Sequence, residues 1–130
     1  MSQKEQAVRA FYDARRRGDH GALRPLVAED VIFHEPGEES YSDDYHGADE
    51  LIAHLDRLLE QTEGTFTLEP IEIVETNDYA AARISWFAER EGVRSEGLEL
   101  AIFRFDDGKI AEVSFFQDRY DLDKLRHVFG

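Results

Sequence analysis

The first part of the chain carries apolar residues at the spacing of an α-helix. Residues 2–5 read Ser-Gln-Lys-Glu, a capping box that satisfies free backbone amides where a helix begins. The positions that follow at helical spacing are Val8, Phe11, Tyr12 and Arg15. Gly18 predicts the end of this helix. A second, short helix is predicted over about His20–Val27, in which Pro25 limits the length.

A short strand, a polar loop and a longer helix are predicted next. Val31–His34 is rich in β-prone residues, and Pro36-Gly37 ends this strand. The segment Glu38–Gly47 is polar with a few aromatic residues, which is typical of a loop. A third helix is predicted over about Ala48–Thr62, because its leucines and isoleucine form one apolar stripe.

The remainder of the chain is rich in β-prone residues and alternates with period two, which indicates strands. Four long strands are predicted at Thr65–Glu75, Tyr79–Glu91, Val93–Asp106 and Lys109–Arg119. Asp107-Gly108 and Glu91-Gly92 are typical of the tight turns that join antiparallel strands. Helices first and a four-strand meander second predict a single α+β domain over residues 1–130, not alternating βαβ units.

Several of these strands carry apolar residues on both faces. Trp86 shares a face with Ala82 and Ile84, whereas Phe87 lies on the opposite face of the same strand. A sheet of this kind is covered on both sides, by helices on one face and by other protein on the other. We therefore expect a homodimer formed through the sheet.

The amino-acid composition excludes several classes of protein and of binding partner. The 130 residues are 42% hydrophobic and include fifteen aromatic residues, no cysteine and a formal charge of −14. Disorder, disulfides and thiolate catalysis are excluded, and binding to nucleic acids or anionic membranes is disfavoured. No apolar run approaches the roughly 20 residues that span a bilayer, and residues 1–5 lack the features of a signal peptide, so we expect a cytoplasmic protein.

The negative charge is concentrated in one stretch. Between Arg24 and Arg57 there is no Lys or Arg, while ten Asp and Glu residues fall there. A solvated acidic surface explains this pattern, and so does a salt-adapted source, because twelve of the fifteen basic residues are Arg. A cation site or a basic partner is a third interpretation. If this stretch rims a cavity, the field favours a small neutral or cationic ligand over an anion.

Several local motifs resemble the SnoaL-like group of the nuclear transport factor 2-like superfamily. These motifs are Ala28–His34 leading to Pro36-Gly37, Asp44–Gly47, Gly64–Phe66 and Asp107–Ile110. The order of predicted elements is similar to that group over nearly the whole chain. The resemblance implies a cystatin-like α+β barrel, in which a cone-shaped, curved antiparallel sheet packs on three helices of the N-terminal half. It also implies a ligand cavity between sheet and helices and, again, a homodimer.

Three enzyme groups of this superfamily imply different site residues. In ketosteroid isomerases a carboxylate just before a proline shuttles a proton, and Glu35 before Pro36 occupies that place. The positions of their oxyanion donors hold Phe11 and Ala101, neither of which donates a side-chain hydrogen bond. These two positions are then expected to line the substrate site without taking part in the chemistry.

In limonene epoxide hydrolases an Asp-Arg-Asp set opens the epoxide. Arg83 and Asp118 match two members of this set, and Ser85 replaces the third. In SnoaL-like polyketide cyclases an Asp of the final strands acts as acid and base, and Asp118 again fits. Both resemblances therefore point to Asp118.

Further candidates follow from residue chemistry. His34 has the near-neutral pKa range that suits proton transfer, Trp86 and Phe116 offer an apolar wall, and the loop residues Tyr41 and Tyr45 offer a lid. The acidic and histidine residues near His34 match no metal-ligand spacing, so no metal is expected.

The sequence as a whole predicts a cofactor-free acid/base enzyme of the isomerase, cyclase, lyase or hydrolase type. Its substrate is expected to be a small, hydrophobic, neutral molecule, bound near Arg83. Asp118, His34 and Glu35 are the predicted catalytic residues, with Asp118 and His34 pointing into one closed cavity. The alternative is a non-catalytic ligand-binding or dimerisation module of the same fold.

Overall fold

The structure is a computed structural model that describes residues 2–130; Met1, which the predicted domain includes, lies outside the described residues. The α-helices are α1 (Gln3–Arg16), α2 (Gly47–Gln61) and α3 (Leu122–Phe129), and His20–Leu26 forms a 3₁₀ helix. The strands are β1 (Val27–Glu35), β2 (Asp43–His46), β3 (Thr67–Glu75), β4 (Tyr79–Arg90), β5 (Val93–Asp106) and β6 (Lys109–Tyr120). Within the described residues, no helix is long and apolar enough to cross a membrane.

The strands form one curved, unclosed sheet in the order β2-β1-β6-β5-β4-β3, with helices packed on one face. This arrangement confirms the predicted α+β fold. The sheet is mixed, because β1 runs parallel to β6 while the other neighbours are antiparallel. The parallel pair is possible because the chain between β1 and β6 is long enough for a crossover connection.

Two elements differ from the sequence prediction. The short strand β2 lies inside the predicted loop and pairs with β1, placing His34 opposite Asp44. The C-terminal helix α3 was not predicted. It begins at Asp121, whose side chain accepts a hydrogen bond from the Lys124 backbone amide, and it buries Leu125, Val128 and Phe129.

The core fills the space between α1, α2 and the inner face of the sheet. Phe11 packs edge-on against Phe103 at 5.3 Å between ring centroids, and Phe33 lies 4.4 Å from Phe115. All four rings are buried, and burying one such side chain stabilises the fold by roughly 1.5–3 kcal/mol. Ala101 is fully buried on the same inner face, where a small residue leaves room for these rings.

A β-bulge near the end of β6 alters the alternation of its side chains. Leu98 pairs with Arg119 and Glu99 pairs with Gln117, so Asp118 is the extra residue of β6. The strands approach closely at Gly97, where an added Cβ would lie 2.0 Å from the Arg119 carbonyl oxygen. The bulge therefore requires glycine at position 97, and it follows directly after the regular pair of Glu99 with Gln117.

Candidate functional site

A cavity lies at the open end of the curved sheet, between its inner face and the helices. Its lining residues are Arg15, Glu35, Tyr41, Leu58, Phe66, Trp86, Glu99, Gln117, Leu125 and Phe129. The cavity measures about 20 Å³ in this structure, so binding of any ligand larger than water requires its wall to open. Aromatic and aliphatic side chains form most of this wall, so the few polar groups in it stand in an apolar environment.

Glu35 reaches the cavity from the end of β1. It follows Phe33 on the inner face, because alternate residues of a strand point the same way. Its side chain is 11% exposed, and one carboxyl oxygen lies 3.5 Å from Nε2 of the buried His54 on α2. Burial raises the pKa of Glu35 to about 7, although the positive charge of Arg15 acts in the opposite direction.

Glu99 is the second carboxyl group of the cavity and comes from β5. Gln117 donates a hydrogen bond from Nε2 to Glu99 Oε2 at 3.0 Å, while Glu99 Oε1 is buried and has no partner within residues 2–130. Burial raises the pKa of Glu99 to about 8, and the charge of Glu35 adds to this rise. A protonated Glu99 is therefore the dominant form at neutral pH.

Arg15 brings a buried cation to the same cavity from α1. Its side chain is almost fully buried, and its guanidinium lies 5.5–5.9 Å from the ring centroids of Phe11, Tyr12, Phe66 and Phe115. Within the described part of the chain, this guanidinium donates no hydrogen bond and has no carboxylate within 4.0 Å. A gap therefore separates the cation from both carboxyl groups of the cavity.

Other polar groups around the cavity also lack partners in the described chain. Trp86 Nε1, Tyr12 Oη and His54 Nδ1 are buried without a hydrogen bond among residues 2–130. The His54 ring stacks on Tyr45 at 3.8 Å, and burial lowers the pKa of His54 to about 3, so this ring is neutral. Buried polar atoms without partners are rare in folded proteins, and these atoms are available to hydrogen-bond with water or with a ligand.

The structure brings some of the predicted site residues together. Glu35, Trp86 and Tyr41 line the cavity, and Tyr45 adjoins it through its contact with His54. The two remaining inward-facing candidates, Phe11 and Ala101, are part of the core and do not line the cavity.

The other predicted residues lie on the outer face of the sheet. Arg83 is exposed and lies 4.0 Å from Glu72, Phe116 is 45% exposed, and Asp118 is exposed at the bulge. His34 is the strand neighbour of Glu35 and therefore points to the opposite face. The expectation that Asp118 and His34 point into one closed cavity is wrong, because strand alternation turns both away from it.

His34 instead belongs to a paired cluster on the outer face. Its Nδ1 lies 2.6 Å from Asp44, its Nε2 lies 2.5 Å from Glu112, and Arg104 donates to Glu112 at 3.1 Å. Burial opposes protonation of His34, but these hydrogen bonds outweigh it and raise the pKa of His34. His34 and Arg104 together lower the pKa of Glu112. This outer cluster ties β2 to β1 and β6.

Sequence reasoning missed Arg15, Glu99 and Gln117 as site residues. Two signals were available: Arg15 continues the apolar stripe of α1, and Glu99 shares a strand face with Ala101 and Phe103. A charged residue on an apolar face is rarely buried without a reason. Alternation along the last strand places Gln117 on one face with Val113 and Phe115, but the register that sets it opposite Glu99 depends on strand pairing. Within residues 2–130, no group of three or more His, Asp and Glu side chains is arranged to hold a metal ion.

The fold places the chain in a class of small α+β proteins in which helices pack on one face of a curved sheet, here with a cavity between them. The sequence profile of the SnoaL-like domain matches residues 8–113, and the chain belongs to this family. A comparison with curated proteins gave no match.

Solved structures share the fold over the whole chain. Bal32a, from a soil-derived mobile gene cassette, is 26% identical, with 98% of this chain and 97% of that chain covered and a TM-score of 0.89. A Xanthomonas campestris protein of unknown function with a cystatin-like fold is 25% identical, with coverages of 100% and 99% and a TM-score of 0.86. IdmH of Streptomyces antibioticus, provisionally described as a polyketide cyclase, is 23% identical, with coverages of 90% and 93% and a TM-score of 0.75.

Proposed function

We propose that the protein is a SnoaL-like acid/base enzyme that moves a proton on a small carbonyl compound held in the cavity, without a cofactor. The observation that carries this proposal is the pair of buried carboxyl groups, Glu35 and Glu99, on one cavity. With pKa values of about 7 and about 8, a carboxylate and a carboxylic acid coexist near neutral pH. Proton abstraction and hydrogen-bond donation require these two states together.

The reaction begins at a carbon next to the carbonyl group. The Glu35 carboxylate accepts a proton from this carbon, and the electron pair of the broken C–H bond forms the C=C bond of an enol. Glu99 donates its proton to the carbonyl oxygen, which prevents a full negative charge from building up there. Gln117, which donates to the other oxygen of Glu99, holds the acid in place.

Two outcomes follow from the same enol. If the enol is conjugated with a further C=C bond, Glu35 returns the proton to the far carbon, the oxygen gives its proton back to Glu99, and the product is an isomer. If the enol carbon attacks a second carbonyl group, a C–C bond forms and the ring closes. The enol oxygen then gives its proton back to Glu99, and Glu35 delivers the proton that it took from carbon to the oxygen of the attacked carbonyl group. The likeness to IdmH is one of fold, and ring closure is the reaction class suggested by its description.

Deuterium exchange tests the proposed first step without knowledge of the natural substrate. Acetylacetone, a cyclic ketone and 4-oxopentanoate are incubated with the protein in D₂O, and loss of the α-proton signal is followed by NMR. We expect the protein to accelerate exchange, and Glu35→Gln to reduce this acceleration by about 100-fold or more, because general base catalysis contributes that much. Glu99→Gln should reduce it to a smaller extent, since an amide still donates a hydrogen bond.

The control for this experiment is Glu96→Gln, which makes the same chemical change on β5 but at an exposed position on the outer face. This variant should exchange protons at the rate of the unmodified protein. Equal rates in Glu35→Gln and Glu96→Gln would contradict the proposed role of Glu35. No acceleration with any carbonyl compound would contradict the proposed function.

A second candidate function, a ligand-binding or dimerisation module, is favoured by the outer face of the sheet. Val74, Leu100 and Phe116 are exposed there, at 59%, 37% and 45%. Charges of both signs surround them, including Arg83 and Glu72, so the same patch of a second copy offers complementary charges. We therefore propose a homodimer through this face.

Sedimentation tests the homodimer. Leu100→Asp should reduce the particle mass from that of a dimer to the 15.0 kDa of one chain, because it places a charge in the apolar patch. A monomer before any substitution would contradict the dimer, and a dimer without proton exchange would favour the module over the enzyme.

A further inference from the structure

The buried guanidinium of Arg15 is the feature of the cavity that the proposed reaction does not use. A guanidinium carries five N–H donors and stays charged in proteins. Arg15 is 4% exposed, and within residues 2–130 its guanidinium has neither a hydrogen bond nor an ion pair. Removing a charge from water without a partner costs several kcal/mol, so an isolated buried cation is unusual in a stable fold.

The surroundings of Arg15 show what kind of partner is missing. Aromatic rings face the guanidinium at 5.5–5.9 Å, which leaves its in-plane N–H donors unpaired. The cavity separates it from Glu35 and Glu99, neither of which approaches within 4.0 Å. A planar anion in this gap would accept two parallel hydrogen bonds from the guanidinium, the geometry in which arginine binds carboxylates.

The charge balance of the cavity agrees with an anionic guest. Near pH 6 both carboxyl groups are mostly protonated, so the cavity carries the single positive charge of Arg15. The acidic exterior acts against an anion, but at physiological ionic strength surface charges are screened beyond about 8 Å. The field that an enclosed ligand experiences is therefore set by the groups that line the cavity.

We propose that the substrate is a small oxo acid bound as its anion, with its carboxylate on Arg15 and its apolar body against Phe66, Trp86 and Phe129. This inference rests on the proposed function for the carbonyl group and names the class of molecule that carries it. It replaces the neutral substrate expected from the acidic sequence, because the cation that decides the charge of the ligand lies inside the cavity. Glu35 and Glu99 then remain free to act on the carbonyl end.

Trp86 provides a direct measurement of binding, because it is the one tryptophan of the sequence and lines the cavity. Its fluorescence is titrated with cyclohexanecarboxylate and with cyclohexanecarboxamide, which share size and shape and differ in charge. At pH 6 and physiological salt we expect the carboxylate to bind at least tenfold more tightly than the amide. The same titration is repeated with shorter acids and their amides, down to acetate and acetamide, to test smaller ligands.

Arginine variants show whether Arg15 causes the preference. Arg15→Gln should abolish the preference for the acid, whereas Arg15→Lys, which keeps the charge, should retain part of it. The matched control is Arg9→Gln, an exposed position on the same helix that pairs with Glu5. Circular dichroism checks that each variant is folded, and Arg15→Lys keeps the proposal testable if Arg15→Gln does not fold.

The pH dependence of binding is a test that needs no variant. The groups around the cavity that carry or can carry charge are Arg15 and Tyr12 on α1, His54 on α2, Glu35 on β1, Glu99 on β5 and Tyr41 in the loop. As pH rises from 6 to 9, Glu35 and Glu99 lose their protons and the cavity changes from positive to negative. Affinity for the acid should fall at least tenfold over this range, while affinity for the amide stays constant.

The outcomes separate this inference from the proposed function. Equal binding of acid and amide, a preference that survives Arg15→Gln, or no saturable quenching by any acid at millimolar concentration would each overturn it. Arg15-dependent binding of acids without deuterium exchange would support the anion site and contradict the enzyme. Deuterium exchange on neutral ketones without a binding preference for acids would support the enzyme and contradict the anion site.

Discussion

The two faces of the sheet carry acidic residues in opposite situations. On the outer face, Glu112 accepts hydrogen bonds from His34 and Arg104, and these partners lower its pKa. On the inner face, Glu99 has one amide partner and an unpaired oxygen, and burial raises its pKa to about 8. Both residues are glutamates on neighbouring strands of one sheet. The difference shows that partners and solvent, rather than residue type, decide whether a carboxyl group braces the fold or stays available for chemistry.

The contrast is sharpest on β1, where His34 and Glu35 are neighbours in the chain. His34 is bound on both ring nitrogens by carboxylates of the outer face. Glu35 turns to the opposite side, where its one side-chain hydrogen-bond partner among residues 2–130 is His54, at 3.5 Å. A network whose hydrogen bonds are all made acts as a structural brace, whereas the incomplete network of the inner face supports the proposal that the cavity is the functional site.

The largest expected effect comes from a substitution at the bulge, which disturbs the inner face of the sheet and leaves the outer cluster unchanged. Gly97→Ala should reduce the free energy of unfolding by about 3 kcal/mol or more, because the new Cβ would lie 2.0 Å from the Arg119 carbonyl oxygen and the bulge would have to rearrange. Urea denaturation at neutral pH measures this change. Gly21→Ala is the control, since its Cβ meets nothing closer than 3.9 Å. Equal stability of the two variants would contradict the account of the bulge.

The second-largest effect is the pH dependence of the free energy of unfolding that Glu99 causes on the inner face. The pKa of Glu99 rises from 4.5 to about 8 on folding, so the stability that it contributes is complete below about pH 4.5 and is lost as pH rises toward 8. Glu99→Gln cannot ionise and should be more stable than the unmodified protein at pH 9, by an amount on the order of a few kcal/mol. Denaturation curves between pH 5 and 9 measure this. A difference that does not change with pH would mean that Glu99 is not buried as described.

The contribution of the outer cluster should also decrease as pH rises, but from a higher starting pH than that of Glu99. The pKa of His34 is raised, so its contribution is complete below its unfolded value of about 6.5 and is lost as pH rises through the folded value. His34→Gln should therefore cost about 1 kcal/mol at pH 6, a modest amount because the cluster is partly exposed, and less at pH 9. Denaturation at the two pH values checks this. A cost that grows with pH would contradict the pairing.

The smallest effect concerns the residue on which two enzyme resemblances converge. Asp118→Asn should change the free energy of unfolding by less than about 0.5 kcal/mol, because the side chain is exposed and outside both clusters. Tryptophan fluorescence titrations should show unchanged ligand binding in the cavity. Loss of binding or of proton exchange in this variant would favour the sequence-based assignment over the inner-face site.

The elements with strong local signals were predictable from the sequence. The Ser2–Glu5 capping box places the start of α1, and the leucine stripe of α2 and the turn at Asp107-Gly108 appear where expected. β2 was not predictable, because its four residues carry no apolar alternation and it forms only by pairing with β1. The helix α3 was missed, although Asp121 is an N-cap residue and the spacing of Leu125 and Phe129 is helical.

The candidate site could be predicted only in part. Glu35 was accessible through a local motif, the acid before a proline at the end of a strand. Glu99 and Arg15 required knowing that their apolar faces meet around a cavity, which is a property of tertiary packing. Asp118 was assigned to the site from its likeness to two enzyme groups, although alternation along the strand places it on the face of Phe116, which is the outer face.

The C-terminal helix forms one side of the cavity and is therefore expected to control how fast the cavity exchanges its contents. Leu125 and Phe129 of α3 form part of the cavity wall, and the helix is attached by surface contacts such as Arg126 to Glu39 at 2.8 Å and Ser40 to the Phe129 carbonyl at 3.0 Å. Because the cavity measures only about 20 Å³, we expect a larger guest to enter when this helix moves away from the sheet. The observed binding rate should therefore level off at high ligand concentration, at the frequency with which eight residues detach and return. Weakening a surface ion pair would then shorten the residence time of a ligand that it never touches.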